Sequence, residues 1–192
     1  TPVLNGSRYI ENTILSIKEL KIPYEHIIVD GGSTDSTLDI INKYPNVKLV
    51  LQKQKLGMYQ AIDMGINISK GEILTWVNSD DKIISSGYEK MYKEMVDNKL
   101  DLVYSNGFHH FIDEYKYKLV TAQPFARYFL KEGIFPFVQS SSLFSKNGYE
   151  KVGGLNYAKF KIIGDRDLFQ KMAYDKTLKM KYLPIFSSIF LR

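Results

Sequence analysis

The chain has 192 residues, of which 44% are hydrophobic, and it contains no cysteine. This length suits one compact domain with a sizeable core, and the lack of cysteine excludes disulfides and thiolate-bound metals. The net charge is +5, but the basic residues are dispersed and form no long basic block, so no nucleic-acid partner is expected. No apolar run reaches the roughly 18 residues that a membrane span requires.

Both ends of the sequence suggest a piece of a longer protein. The opening residues TPVLN are typical of the end of a strand, and the sequence stops within the apolar pattern SIFLR. We therefore expect residues 1–192 to form a single domain within a longer chain.

The first 80 residues alternate between predicted helices and strands. Ile10, Ile14 and Ile17 recur at helical spacing, and HIIVD is a short apolar run typical of a buried parallel strand. The predicted elements are a helix over 7–19, a strand over 26–30, a helix after the GGSTDS loop, a strand over 47–52, a helix over 58–66 and a strand over 72–78 (EILTWVN).

Repeated units of this kind predict an α/β fold, with a Rossmann-like, mostly parallel sheet and helices on both faces. Residues 1–81 would form its nucleotide-binding half. The later pattern is less regular and predicts a mixed half over residues 82–192, with a helix near 86–96, extended runs at 102–111 and 116–122, and a helix from about Asp165.

Three polar segments follow predicted strands: Pro2 to Asn5, Asp30 with its Gly-rich loop, and Asn78 to Asp81. In an open parallel sheet ligands bind outside the carboxyl ends of the strands, where loops and helix N-termini present free N–H groups. The coincidence of three such segments indicates a binding site, although Asp30 alone would more often cap a helix.

The adjacent acids Asp80 and Asp81 would repel each other unless a proton or a cation lies between them. Mg²⁺ or Mn²⁺ prefers oxygen ligands and is often held by one or two carboxylates together with substrate phosphates. A solvated turn, with Asp80 capping the next helix, is the alternative. The GGS loop matches neither a dinucleotide fingerprint nor a P-loop.

Four ordered blocks resemble the family 2 glycosyltransferases, which have the GT-A fold. The blocks are TPVLNGSRYIENTILSI, HIIVDGGSTDSTLDII, LGMYQAIDMGINISKGEILTWVNSDD, and SLFSKNGYEKVGGLN followed by GDRDLFQKM. The resemblance implies transfer of a sugar from a nucleotide-diphosphate donor to an acceptor hydroxyl, with inversion and with Mn²⁺ or Mg²⁺. The nucleotide-sugar-binding residues that it implies are Pro2, Asn5, Asp30, Gly32, Ser33, Asn78, Asp80 and Asp81.

Within that set, Asp30 is expected to accept a hydrogen bond from the base, and Asp80 to bind the metal that bridges the diphosphate. The family's catalytic base lies in a block that here reads GDRDL. Asp165 aligns with the base and Asp167 with a second acid on the acceptor side, where Gln139 is also expected. Each carboxylate in GDRDL also suits a helix cap.

This sequence departs from the family pattern at several positions. Gly31 stands where many members have a second Asp, Asn78 replaces the first acid of the metal motif, and Gly164 replaces a Glu. The Gln-x-x-Arg-Trp block of processive members is absent from the sequence, which argues against a polymerising synthase.

Two other functions stay open on the residues alone. The departures suit a catalytically silent sugar-nucleotide-binding module, and a nucleotidyltransferase would need a better phosphate loop than LNGSRY. The expected partners are a nucleotide-diphosphate sugar and a sugar or lipid-linked saccharide acceptor. The expected location is the cytoplasm, or the inner face of the membrane through peripheral association, in bacterial surface-polysaccharide assembly.

Overall fold

The computed structural model describes residues 1–52 and 57–192. Its strands are β1 (Pro2–Val3), β2 (His26–Asp30), β3 (Val47–Leu51), β4 (Ile73–Leu74), β5 (Lys82–Ile83), β6 (Leu102–Phe111), β7 (Lys116–Val120), β8 (Ser142–Ser145) and β9 (Met180–Leu191). Its helices are α1 (Ile10–Lys18), α2 (Thr37–Ile41), α3 (Met58–Ile68), α4 (Ser85–Asn98), α5 (Ala126–Lys131), α6 (Lys146–Lys151) and α7 (Gly164–Tyr174).

The first sheet is parallel, in the order β1-β2-β3. All five residues of β2 are buried, and alternate side chains face opposite sides because successive Cβ atoms of a strand point to opposite faces. Ile28 packs with Ile10 and Ile14 of α1 on one side, while Val29 packs with Ala61 of α3 on the other. The predicted parallel sheet with helices on both faces is confirmed for this half.

The second sheet is mixed, in the order β4-β8-β6-β9-β5, with β7 also paired to β6. Strand β6 is central: it runs parallel to β9 and antiparallel to β7 and β8. The five residues of its first half, Leu102 to Asn106, are all buried. The extended runs predicted at 102–111 and 116–122 are confirmed, and they belong to this sheet.

The strand predicted over 72–78 is shorter than expected and belongs to a different sheet. Only Ile73 and Leu74 form β4, which pairs antiparallel with β8 and not with the parallel sheet. After Leu74 the backbone forms a hydrogen bond with a side chain and not with a neighbouring strand: Gln139 Nε2 donates to the Trp76 carbonyl at 2.9 Å. Trp76 and Val77 are nevertheless buried, which explains why the apolar run reads as a complete strand.

An aromatic cluster joins α7 to the second sheet. The Trp76 ring stacks on Phe169 of α7 at a centroid distance of 6.0 Å and meets Phe144 of β8 edge-on at 5.7 Å. Phe137 and Tyr149 are buried in the same core. This packing holds the middle of α7 against the segment that follows β4.

No helix in residues 1–52 and 57–192 is long and apolar enough to cross a membrane. A cavity of about 450 Å³ lies between β2 and the segment around β4, and its lining is mostly apolar. None of Asp30, Asp80 and Asp165 lines this cavity, so it is separate from the polar segments at the strand ends.

Gly87→Ala is expected to destabilise the protein although alanine favours helices by about 1 kcal/mol. Gly87 lies in the first turn of α4, and a Cβ there would meet the Phe186 carbonyl oxygen at 2.2 Å and the Ser187 Cα at 2.8 Å. Backbone atoms cannot move aside easily, so we expect a net loss of about 2 kcal/mol in the free energy of unfolding.

Urea denaturation measures this loss, and Gly71→Ala is the matched control, because a Cβ at Gly71 would meet its nearest atom at 3.5 Å. Equal stabilities of wild type and Gly87→Ala would contradict the close approach of α4 to β9.

Candidate functional site

Asp30 ends β2 and organises the loop that follows it. Asp30 is fully buried. Its Oδ1 accepts from the backbone N–H groups of Gly32 and Ser33, both at 2.9 Å, and its Oδ2 accepts from the Ser33 hydroxyl at 2.5 Å. Gly32 has φ +93°, a conformation that glycine adopts at little cost. Both oxygens therefore stabilise the loop, and a nucleotide base would have to share them.

The loop after β1 packs directly against the loop after β2. Asn5 has φ +52°, its N–H donates to the Ser33 hydroxyl at 2.8 Å, and its side-chain oxygen accepts from the Thr34 N–H at 2.8 Å. Pro2 is buried within β1. A Cβ on Gly6 would lie 3.4 Å from the Ser79 hydroxyl, so this loop also lies against the turn of residues 78–81, called the NSDD turn below. The three predicted polar segments therefore meet at one edge.

The adjacent acids Asp80 and Asp81 have opposite environments. Asp80 is exposed to solvent, whereas Asp81 is fully buried. Asp81 Oδ1 accepts from the Leu191 N–H at 3.1 Å at the end of β9. Burial, and next the charge of Asp80, raises the pKa of Asp81 to about 7. Asp81 thus ties the turn to the second sheet, and Asp80 is the acid that faces outward.

Asn78 is explained by its contact with Asp81. Its amide nitrogen donates to Asp81 Oδ2 at 3.2 Å, so an aspartate at position 78 would place a second negative charge against a buried carboxylate. The Asn78 Oδ1 atom is buried and has no hydrogen-bond partner among the described residues. A buried acceptor without a partner is rare in folded proteins and suits a ligand.

Asp165 lies in the first turn of α7, where a carboxylate is favoured by the helix dipole. Its Oδ1 accepts from the Tyr59 hydroxyl at 2.9 Å and from the Arg166 N–H at 2.9 Å. The helix begins at Gly164, and neither acid makes the side-chain cap that either could have supplied.

Gly164 is required by the ring of Tyr59. A Cβ at Gly164 would lie 2.9 Å from two carbon atoms of that ring, closer than real Cβ atoms approach their neighbours. A glutamate, which the family pattern has at this position, would collide with the Tyr59 ring unless the helix moved.

The two acceptor-side residues have structural partners. Asp167 forms an ion pair with Lys171 at 3.0 Å, one turn further along α7. Gln139 is buried and donates to the Trp76 carbonyl. Gln139 therefore supports the backbone two residues before Asn78.

Two residues that the sequence reasoning passed over connect the parts of the site. Gln52 follows β3, is buried, and donates to the Gly57 carbonyl at 3.2 Å, just before α3. Tyr59, on α3, then reaches Asp165. Tyr59 is 3% exposed and lies at helical spacing with Ile62 and Ile66, which are buried in the same core. Periodicity therefore indicates its burial, but it does not reveal its contact with Asp165.

Residues 1–52 and 57–192 contain no cluster of three or more His, Asp or Glu side chains that would hold a metal alone. A cation that is shared with a diphosphate needs only one or two protein ligands. The exposed Asp80 carboxylate and the unpartnered Asn78 Oδ1 provide two oxygens of the right chemistry in one turn, so these residues fit such a cation.

Known proteins resemble this chain both in sequence and in structure. The family model described as glycosyl transferase family 2 matches residues 1–153, which include Asp30 and the NSDD turn and end before Asp165. The glycosyltransferase GlyG of Streptococcus pneumoniae is 33% identical over 116 residues, which cover 57% of this chain and 38% of GlyG.

A poly(ribitol-phosphate) beta-glucosyltransferase of Bacillus spizizenii is 36% identical over 109 residues, which cover 53% of this chain and 17% of that protein. The chain spans less than two thirds of the length of either relative.

A crystal structure of S. aureus TarS residues 1–349 matches with a TM-score of 0.79 at 17% identity, over 99% of this chain and 58% of that chain. At that identity the match shows the fold, which is the GT-A fold. The predicted fold class is confirmed. Since the family model covers most of the chain, this protein belongs to the family 2 glycosyltransferases.

Proposed function

We propose that this chain catalyses the transfer of a sugar from a nucleotide-diphosphate donor to an acceptor hydroxyl, with inversion at the anomeric carbon. The observation that carries the proposal is that the loop after β1 lies against both the Asp30 loop and the NSDD turn. A path of contacts also runs from Asp30 through Gln52 to the start of α3, and from Tyr59 of α3 to Asp165. Donor-side and acceptor-side groups lie on elements that contact one another.

In this proposal Asp165 is the general base. A carboxylate that takes the proton of the acceptor hydroxyl increases the nucleophilicity of the oxygen while the new C–O bond forms. The donor's diphosphate leaves as an anion, so no second carboxylic acid has to protonate it, in contrast to glycosidases. The hydrogen bonds to Asp165 Oδ1 leave Oδ2 as the oxygen that faces the acceptor.

The nucleotide would lie over the loops after β1 and β2. Pro2, Asn5, Gly32 and Ser33 shape this surface, and Asp30 holds it through three hydrogen bonds. Family 2 enzymes generally use a divalent cation, and here Asp80 and Asn78 would hold Mn²⁺ or Mg²⁺. When bound, the cation offsets the negative charge that grows on the leaving diphosphate. Asp81 would orient Asn78 from behind.

The names of related proteins suggest a donor and an acceptor to test. TarS has been crystallised with UDP-GlcNAc, which makes a UDP-sugar the first donor to test. The poly(ribitol-phosphate) beta-glucosyltransferase suggests a surface-polymer or lipid-linked saccharide acceptor. Such an acceptor is consistent with an enzyme that acts in the cytoplasm, at the inner face of the membrane.

Asp165→Asn is expected to lower sugar transfer by at least about a hundredfold, because the base is lost. Donor affinity should stay nearly unchanged, since the amide preserves the shape of the side chain. Transfer assays and calorimetry with UDP-GlcNAc measure the two effects, and Asp97→Asn, on the exposed face of α4, is the control. Wild-type turnover in Asp165→Asn would exclude Asp165 as the base.

Asp80→Ala is expected to remove the Mn²⁺-dependent part of UDP affinity, a loss of about tenfold or more. Calorimetric titration of UDP with Mn²⁺ and with a chelator checks this, and Asp113→Ala, in the β6–β7 turn, is the control. Equal UDP affinity of the wild type with and without Mn²⁺ would contradict the metal assignment.

Asp81→Asn is expected to flatten the pH dependence of stability. The pKa of Asp81 is raised from 3.8 to about 7, so between these values the folded protein keeps a proton that the unfolded chain releases. The free energy of unfolding should therefore fall as the pH rises through this window, by roughly 4 kcal/mol at most.

Urea denaturation of metal-free protein from about pH 4 to about pH 8 measures this slope. The slope should be smaller in Asp81→Asn and unchanged in Asp97→Asn. The same slope in all three proteins would show that Asp81 is ionised throughout.

A catalytically silent sugar-nucleotide-binding module is the second candidate, and the replacement of Glu by Gly164 favours it. It predicts UDP-GlcNAc binding without transfer or hydrolysis in the wild type. Because the Tyr59 ring accounts for Gly164 on steric grounds, the replacement does not by itself indicate a lost activity.

A further inference from the structure

Tyr59 is a buried tyrosine whose hydroxyl group ends beside the candidate base. The residue is only 3% exposed, and its oxygen lies 2.9 Å from Asp165 Oδ1 and 2.7 Å from the Ile162 carbonyl oxygen. A buried hydroxyl needs a partner, and one phenol proton must serve these two acceptors.

We propose that Tyr59 is the positioning residue of Asp165: its hydroxyl donates to Oδ1 and holds the ionised carboxylate with Oδ2 toward the acceptor. This inference rests on the proposed role of Asp165 as the base. The oxygen that accepts from Tyr59 is held in place, so Oδ2 is the oxygen that takes the proton of the acceptor.

The ring of Tyr59 makes the geometry rigid. It packs against Gly164 so closely that a Cβ there would lie 2.9 Å from the ring. The ring therefore contacts the residue before Asp165 while the hydroxyl contacts Asp165 itself. Two contacts, one apolar and one polar, set the first turn of α7.

The other end of this arrangement is anchored in the nucleotide half. The backbone N–H of Gln52 donates to the Asp30 carbonyl at 2.8 Å, and its side chain donates to the Gly57 carbonyl at the start of α3. Asp30, Gln52 and Tyr59 thus link the donor loop to the base. Tyr59, which positions the base, therefore lies on a helix whose start is hydrogen-bonded through Gln52 to the end of β2, where the donor loop begins.

The charged groups around this contact are few among the described residues. Burial, and next the negative charge of Asp165, raises the pKa of Tyr59, which keeps the phenol protonated as a donor. On α7, Arg166 lies against Gly133 and Asp167 is paired with Lys171. Lys159 and Lys161 are exposed on the segment before α7, and on α3 Asp63 instead accepts from Tyr149.

The test is a ¹³C NMR titration of the Asp165 carboxyl carbon in the intact protein labelled with [4-¹³C]aspartate, with the resonance assigned by its loss in Asp165→Asn. Tyr59→Phe keeps the ring against Gly164 and removes only the hydroxyl. We expect its Asp165 titration midpoint to move to higher pH by roughly half a unit to one unit.

Tyr149→Phe is the matched control, because the Tyr149 hydroxyl also donates to a carboxylate, that of Asp63, at 2.7 Å. The control should leave the Asp165 midpoint unchanged. An unchanged midpoint in Tyr59→Phe would overturn the inference and would mean that Tyr59 donates to the Ile162 carbonyl alone. If Tyr59→Phe does not fold, 3-fluorotyrosine incorporated at position 59 is a stronger donor and should move the midpoint to lower pH.

A kinetic readout separates this inference from the proposed function. With UDP-GlcNAc as donor, Tyr59→Phe should lower kcat by roughly tenfold and shift the acidic limb of the pH–rate profile to higher pH, with the donor KM unchanged. A profile identical to that of the wild type, with Asp165→Asn inactive, would refute the role of Tyr59 and leave the proposed function intact. Full activity of Asp165→Asn would instead refute the base.

Discussion

The contact of Tyr59 with Gly164 and Asp165 is the constraint on which the candidate site depends. Helix α3 belongs to the nucleotide half because it covers the parallel sheet, and α7 belongs to the other half because Phe169 packs against Trp76. Tyr59 is where the two helices meet at their N-termini. Ile62 and Ile66 of α3 lie in the same buried core as Phe169, and Tyr59 adds to this shared core the contact that reaches the candidate base.

The NSDD turn accommodates two adjacent carboxyl groups, which would repel each other if both were ionised in the same surroundings. Two adjacent carboxylates are tolerated because their side chains have different surroundings: Asp80 is exposed, while Asp81 is buried with donors from Leu191 and Asn78. The position before the pair is then best filled by an amide, which donates where an acid would repel. Asn78 thus accompanies the buried Asp81 and need not indicate a weakened site.

Fold and site differ in how far comparison supports them. The likeness to TarS extends over nearly the whole chain and establishes the GT-A fold, whereas the family model ends at residue 153, before Asp165. Function on a common fold is decided by the site and not by the architecture. The role of Asp165 therefore rests on the resemblance of the GDRDL block and on the contacts of its carboxylate.

Local patterns predicted most of the first half. Strand β2 and helices α1 and α3 have apolar spacing that depends only on burial against one sheet, so periodicity revealed them and placed Asp30 at a strand end. The prediction of a strand after Leu74 is wrong because buried side chains give the same apolar pattern whether the backbone pairs with a strand or, as here, with the side chain of Gln139.

The sequence by itself determined the family, the parallel half of the fold and the candidate site residues, because these follow from local spacing and ordered blocks. Only the tertiary structure decided which acid faces outward, why residue 78 is an amide and why residue 164 is a glycine. Two of these answers depend on an atom from a segment distant in sequence: the Leu191 N–H for Asp81, and the ring of Tyr59 for Gly164. The amide at residue 78 follows from its contact with Asp81 once that acid is buried. Contacts over such separations leave no periodic trace in one sequence, since they arise only when the chain has folded.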